Sequence, residues 1–282
     1  VTAKIDYPTK GFHAMIFDGE NTYFIDPYSP DADGYYIVYY KKDYRRDATH
    51  FMSCDFDDDV NIKPERGTQF NTDGSLPAQI MATHGSQRKT YRLALSCTGE
   101  YAKAVDGSNP TTTGVLSAMT TTMNRVNGVY EREVSATMVF TSYQNQLIYL
   151  NPSTDPFYSN NDGGQLLDEN QDNTSSIMPS SAYDIGHIFS TGGGGIAQLG
   201  CVCNNNYKAM GVTGSPNPVG DAYDVDYVCH EMGHQFGAEH TFNANTGGCY
   251  YNASETHSYE PGGGSTIMAY AGICGGGNDL QS

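Results

Sequence analysis

The chain has 282 residues, enough for one large or two small domains with a sizeable core, a formal net charge of −17 and a sequence pI near 4.6. Such an acid excess argues against nucleic acid and anionic membranes as partners, and no apolar run approaches the length of a membrane span. No segment resembles a secretory signal peptide, and the first residues read as the interior of a longer precursor.

Residues 13–17, 21–25 and 35–40 are aromatic and β-branched runs separated by Asp18-Gly19 and Asp33-Gly34. That punctuation predicts a small antiparallel sheet joined by tight turns. Residues 55–88 are polar, with Asp57-Asp58-Asp59 and few large apolar side chains, the composition of an exposed linker. The pattern then changes. Residues 91–95 read as a buried strand. Leu116, Met119, Met123, Val126 and Tyr130 mark one face of a helix capped by Thr112 or Thr113, and residues 136–140 return to strand. Residues 155–162 and 168–172 form an acidic stretch with enough oxygen ligands for Ca2+; a solvated acidic loop is the competing reading.

Residues 230–240 carry the chemistry: His230-Glu231-Met232-Gly233-His234-Gln235-Phe236-Gly237-Ala238-Glu239-His240. Residues four apart share a helix face, so His230 and His234 can hold one ion, with Glu231 a quarter-turn round as a base. Gly237 stops the helix and lets His240 return as a third ligand. Three protein ligands leave the fourth tetrahedral position open for water, the mark of a catalytic zinc rather than a structural one. The alternative is a core helix whose histidines are merely hydrogen-bonded. Before the motif, Val225, Val228, Met232 and Phe236 recur at helical spacing, with Asp221 or Asp224 as the cap.

This motif resembles the zinc signature of the metzincin metallopeptidases. Residues 265–270, Ser-Thr-Ile-Met-Ala-Tyr, resemble the clan's methionine turn. The resemblance implies that Met268 floors the metal site and that Tyr270 approaches the zinc or steadies the oxyanion; a packed core tyrosine is the other reading. Residues 183–189 and 195–200 are similar to the third strand and the substrate-binding edge strand of reprolysin-like (adamalysin-like) enzymes. The bacterial reprolysin-like branch is the nearest. Thr241 departs from the aspartate usual in adamalysins, which also lack a tyrosine at the position of Tyr270. The sequence ends 14 residues after Met268, before the C-terminal helix expected of the clan.

The resemblance implies an α+β fold: a metzincin catalytic domain over residues 89–282, with a mixed twisted sheet, backing helices, active-site helix and methionine turn. Residues 1–88 precede it as a small β-rich prodomain and linker, or as a permanent N-terminal domain, with Arg88-Lys89 at a cleavable boundary. Of seven cysteines, six lie in the catalytic region and can form up to three disulfides, which suits a secreted, extracellular protein. Cys54 is left over. Its thiolate would be a strong zinc ligand able to displace the nucleophilic water, with Asp55 and Asp57 as rivals and an ordinary cysteine as the bland reading. The expected protein is a monomeric zinc endopeptidase acting on proteins or peptides, with Glu231 as base and its own prodomain as inhibitor. A pappalysin-like protease and a non-catalytic zinc-containing adhesin or binding module are the alternatives.

Overall fold

The computed structural model describes residues 1–29, 34–44, 54 and 87–274. The expected linker lies almost wholly outside the described residues, as do Asp55 and Asp57.

The N-terminal region is an antiparallel sheet in the order β1 (Thr2–Asp6), β2 (His13–Asp18), β3 (Asn21–Pro27), β4 (Tyr36–Tyr40). The β2–β3 turn falls at Asp18-Gly19 as expected: Asp18 pairs with Asn21, and Gly19 takes φ +62°, which glycine adopts without strain.

A second sheet has the order β6–β5–β7–β9–β8. Strands β5 (Lys89–Cys97), β6 (Ala136–Phe140), β7 (Ile185–Ser190) and β9 (Gly211–Gly214) run parallel, and β8 (Gly195–Ala197) lies antiparallel at the edge. Side chains alternate across a strand, so β5 and β7 feed two cores. Leu93, Leu95, Cys97, Ile185 and Phe189 pack against α1 (Gly99–Asp106), α2 (Thr112–Glu133) and the helical stretch over residues 221–235. Ala94 and Ile188 face the opposite side, where Ile188 meets Leu166 and Leu167 of α3 (Gly163–Ile177). This is a mixed sheet with helices, consistent with an α+β metzincin-like domain.

Two details correct the sequence reading. The cap of α2 is Thr111, whose hydroxyl accepts from Gly114 N at 3.0 Å, one residue before the expected threonines. The six cysteines from Cys97 onward give one disulfide among the described residues, Cys249–Cys274, while Cys97, Cys201, Cys203 and Cys229 form none. Cys97 and Cys229 instead sit buried in the apolar core as small hydrophobic side chains.

The N-terminal sheet lies along α2. Lys4 pairs with Glu131 at 2.8 Å, and Asn124 donates to Ile5 O at 3.0 Å. Gly128 of α2 faces this sheet, where an added Cβ would crowd Lys4 Cγ at 3.1 Å and touch Met15 and Phe17 at 3.4 Å, an ordinary contact.

Candidate metal centre and active site

The active-site helix has three parts: α4 (Asp221–Tyr223), a π-helical turn (Asp224–Val228) and α5 (Cys229–Gln235). Val228 and Met232 enter the main core, Val225 packs with Met15, Phe17 and Phe24, and Phe236 is half-buried against the core, as their spacing predicts. The expected caps are wrong. Gly220 precedes the helix without a side-chain cap, and Asp221 and Asp224 are buried among charges instead.

The three histidines converge. Nε2 of His230 and His234 lie 3.1 Å apart, and each stands 3.2 Å from Nε2 of His240. Gly237, with φ +96°, makes the turn that returns His240 to the helix. Each Nδ1 points at a main-chain carbonyl: His230 at Ile267 O (2.7 Å), His234 at Ala238 O (2.7 Å), His240 at Asn252 O (2.6 Å). A carbonyl only accepts, so each Nδ1 carries the proton and each Nε2 presents a lone pair. Burial first, then the neighbouring rings, pushes His240 down to about 3 and His234 well below its ordinary value, so both stay neutral. Three lone pairs aimed at one point from buried rings repel unless a cation lies between them. Ligands at about 2.0–2.1 Å from a tetrahedral ion would be separated by about 3.3 Å, close to these spacings. The donor set fits zinc. Among the described residues, Cys54 with His230, His234 and His240 is the group able to hold a metal, its four ligand atoms within 4.8 Å of one another.

Glu231 is fully buried beside this group, under the edge strand. Gly195 of β8 makes room for it: a Cβ there would lie 2.1 Å from Glu231 Oε1 and 2.4 Å from Tyr227 Cε2. Gly233, inside the motif, leaves space for the methionine turn, since its Cβ would meet Met268 Sδ at 2.4 Å. Cys54 reaches the site by a parallel bridge to Gly195, which puts its Sγ 3.6 Å from His234 Nε2 and 3.7 Å from Glu231 Oε2. Tyr270 is 2 % exposed, packs against His230, His240 and Phe242, and donates its hydroxyl to Cys54 O at 3.0 Å.

The motif did not reveal a second network behind these rings. Gln235 donates to Gly186 O at 2.8 Å and accepts from His187 Nδ1 at 2.8 Å, while Thr213 Oγ1 donates to His187 Nε2 at 2.8 Å. This ties α5 to β7 and β9. A histidine in an otherwise apolar strand was its one sequence signal. The acidic stretch around residue 155 assembles no metal group among the described residues. Asp155 accepts from Gly99 N and Phe157 N, and Asp162 caps α3 through Gln165 N.

Residues 87–279 match the metallopeptidase family M12B, reprolysin-like. The chain belongs to this family. Membership makes it a metallopeptidase, a hydrolase of a zinc-dependent kind whose substrates are proteins. A comparison with curated proteins finds no match. No helix among the described residues is long and apolar enough to cross a membrane.

Proposed function

We propose that the chain is a secreted, monomeric zinc endopeptidase seen as a latent zymogen, with residues 1–88 as prodomain and residues 89–282 as catalytic domain. One observation carries the catalytic reading: three lone-pair nitrogens converge from buried, carbonyl-anchored rings, with a carboxylate beside them. His230, His234 and His240 would hold the zinc, which supplies Lewis acidity: it acidifies water towards neutral pH and polarises a carbonyl. Glu231 takes the proton of the attacking water and returns it to the leaving amine. Tyr270 already donates to a main-chain carbonyl in the cleft, the group a substrate peptide presents, which supports its role in steadying the oxyanion. The edge strand β8 receives substrate as an added strand; the bridge from Cys54 to Gly195 supports extended chain there.

Latency follows from Cys54, the thiol of which lies against His234 and Glu231 where the attacking water must stand. The Cys249–Cys274 disulfide supports secretion. The test compares the full chain with two variants for zinc content and casein hydrolysis. Glu231→Gln, made in a Cys54→Ala background, should keep one zinc and lose activity by about 10²–10⁴-fold; retained activity removes Glu231 as base. Cys54→Ala alone should gain some activity without cleavage, although the main chain at residue 54 still bridges Gly195, and a chain as silent as the parent removes the Cys54 thiol as the latch.

A further inference from the structure

The π-helical turn that leads into His230 is held from outside the catalytic region. Arg125 of α2, 3 % exposed, pairs with Asp224 at 2.8 Å and also with Asp26 of β3. Asp26 in turn meets His13 Nδ1 at 2.7 Å and accepts from Tyr39 Oη at 3.2 Å. Lys41, directly after β4, reaches Asp226 at 2.7 Å and Asp221 at 3.7 Å. Thr122 donates to Asp224 at 2.6 Å, and Met15, Phe17 and Phe24 enclose Val225. The N-terminal region thus supplies a cation and an apolar wall to the stretch from Asp221 to Asp226, and an anion to Arg125, the guanidinium that pairs with Asp224.

A π turn holds one residue more than the α turn it replaces, so converting it would rotate one flank by about 100° against the other. The far flank is pinned, because Gln235 is tied to Gly186 and His187. Whatever fixes the near flank therefore fixes the angle at which His230, Glu231 and His234 face His240.

We propose that the N-terminal sheet, through Lys41 and Asp26 as positioning residues, stabilises the metal-ready phase of the active-site helix, so that sheet docking and zinc retention reinforce each other independently of Cys54. The inference rests on His230, His234 and His240 being the zinc ligands. Coupling of this kind is reciprocal: whatever the docked sheet adds to zinc affinity, bound zinc adds to docking.

The experiment uses the full chain carrying Cys54→Ala, which removes any contribution of the thiol. Zinc affinity is measured by competition with a chromophoric chelator, with and without Lys41→Met and Asp26→Asn. The pair should weaken zinc binding about tenfold, and each single variant less; Lys41→Arg, which keeps the cation, should retain the parental affinity. An unfolded sheet in the double variant gives the same expected loss, so parental affinity in that state also overturns the coupling. Equal affinity with and without the two substitutions overturns the coupling and leaves the zinc site standing. A Cys54→Ala parent that takes up no stoichiometric zinc overturns the site, and this inference with it.

Discussion

The two ends of the active-site helix are both buried and both polar, yet they are held by opposite means. At the start, Asp221, Asp224 and Asp226 are at most 8 % exposed and face the cations Arg125 and Lys41. At the end, His230, His234, Gln235 and their neighbour His187 are fully buried and meet neutral partners: main-chain carbonyls, an amide and a hydroxyl. Neutral hydrogen bonds bury polar groups at little cost once every partner is present, whereas buried carboxylates depend on their counter-charges remaining. The metal-facing end is therefore held locally without counter-charges. The charged end makes the helix answer to the N-terminal sheet.

Breaking the charged end should have the largest effect. Arg125→Met leaves Asp224 and Asp26 without their shared guanidinium and should cost about 3–5 kcal/mol, read from urea unfolding at pH 7. Thr213→Val removes one donor from His187 at the neutral end and should cost about 1–3 kcal/mol. A larger loss for Thr213→Val than for Arg125→Met would reverse the contrast.

Titration should separate the ends next. Burial, reinforced by Asp226 and opposed by Lys41, pushes Asp221 up to about 7 from an ordinary 3.8. Between those values the folded chain holds a proton that the unfolded chain has lost, so this group makes stability fall as pH rises from about 4 to about 7. His187 is pushed down to about 4 from 6.5 by burial, so the unfolded chain binds the extra proton and stability rises with pH over that window. In the parent the two slopes oppose each other between pH 4 and 6.5. Asp221→Asn should be more stable by at most about 4 kcal/mol at pH 8, with the gain vanishing near pH 4, and should uncover the rising slope of His187. His187→Gln should uncover the falling one. Denaturant midpoints across pH 4–8 measure both; unchanged curves would mean that neither group titrates as its burial requires.

The neutral end was largely legible in the sequence, and the charged end was not. His230, His234, Glu231, Gly237 and His240 are fixed by spacing within eleven residues, where helix geometry alone decides who faces whom. The core face of Val225, Val228, Met232 and Phe236 followed from the same periodicity, and the edge strand at Gly195 from its likeness to a family pattern. The π turn left no local signal, because it depends on Arg125, Lys41 and Asp26, which are remote in the chain. The first two acids of the helix therefore read as caps when they are buried ion partners. Helix α1 was missed because it opens on Gly99 behind the Thr98 cap, a start with no apolar period yet established. Cysteine count suggested up to three disulfides, but pairing needs adjacency, and Cys97, Cys201 and Cys229 are buried without a disulfide partner.

The smallest effect on stability should come from Gly233→Ala, at the neutral end. An added Cβ meets Met268 Sδ at 2.4 Å, and methionine, flexible and unbranched, can shift to admit it. Alanine also favours the helix over glycine by up to about 1 kcal/mol, which offsets part of the crowding. Net stability should change by less than about 1 kcal/mol, since a volume change met by an adaptable neighbour is well tolerated. Function should be less forgiving. Met268 follows Ile267, the carbonyl of which orients His230, so displacing the methionine turns a ligand ring rather than loosening the core. Zinc affinity should fall several-fold at an almost unchanged unfolding midpoint, the reverse of Arg125→Met, in which stability falls first. Equal losses of affinity and stability in Gly233→Ala would show that the neutral end carries the fold as well as the metal, and the division between the two ends would fail.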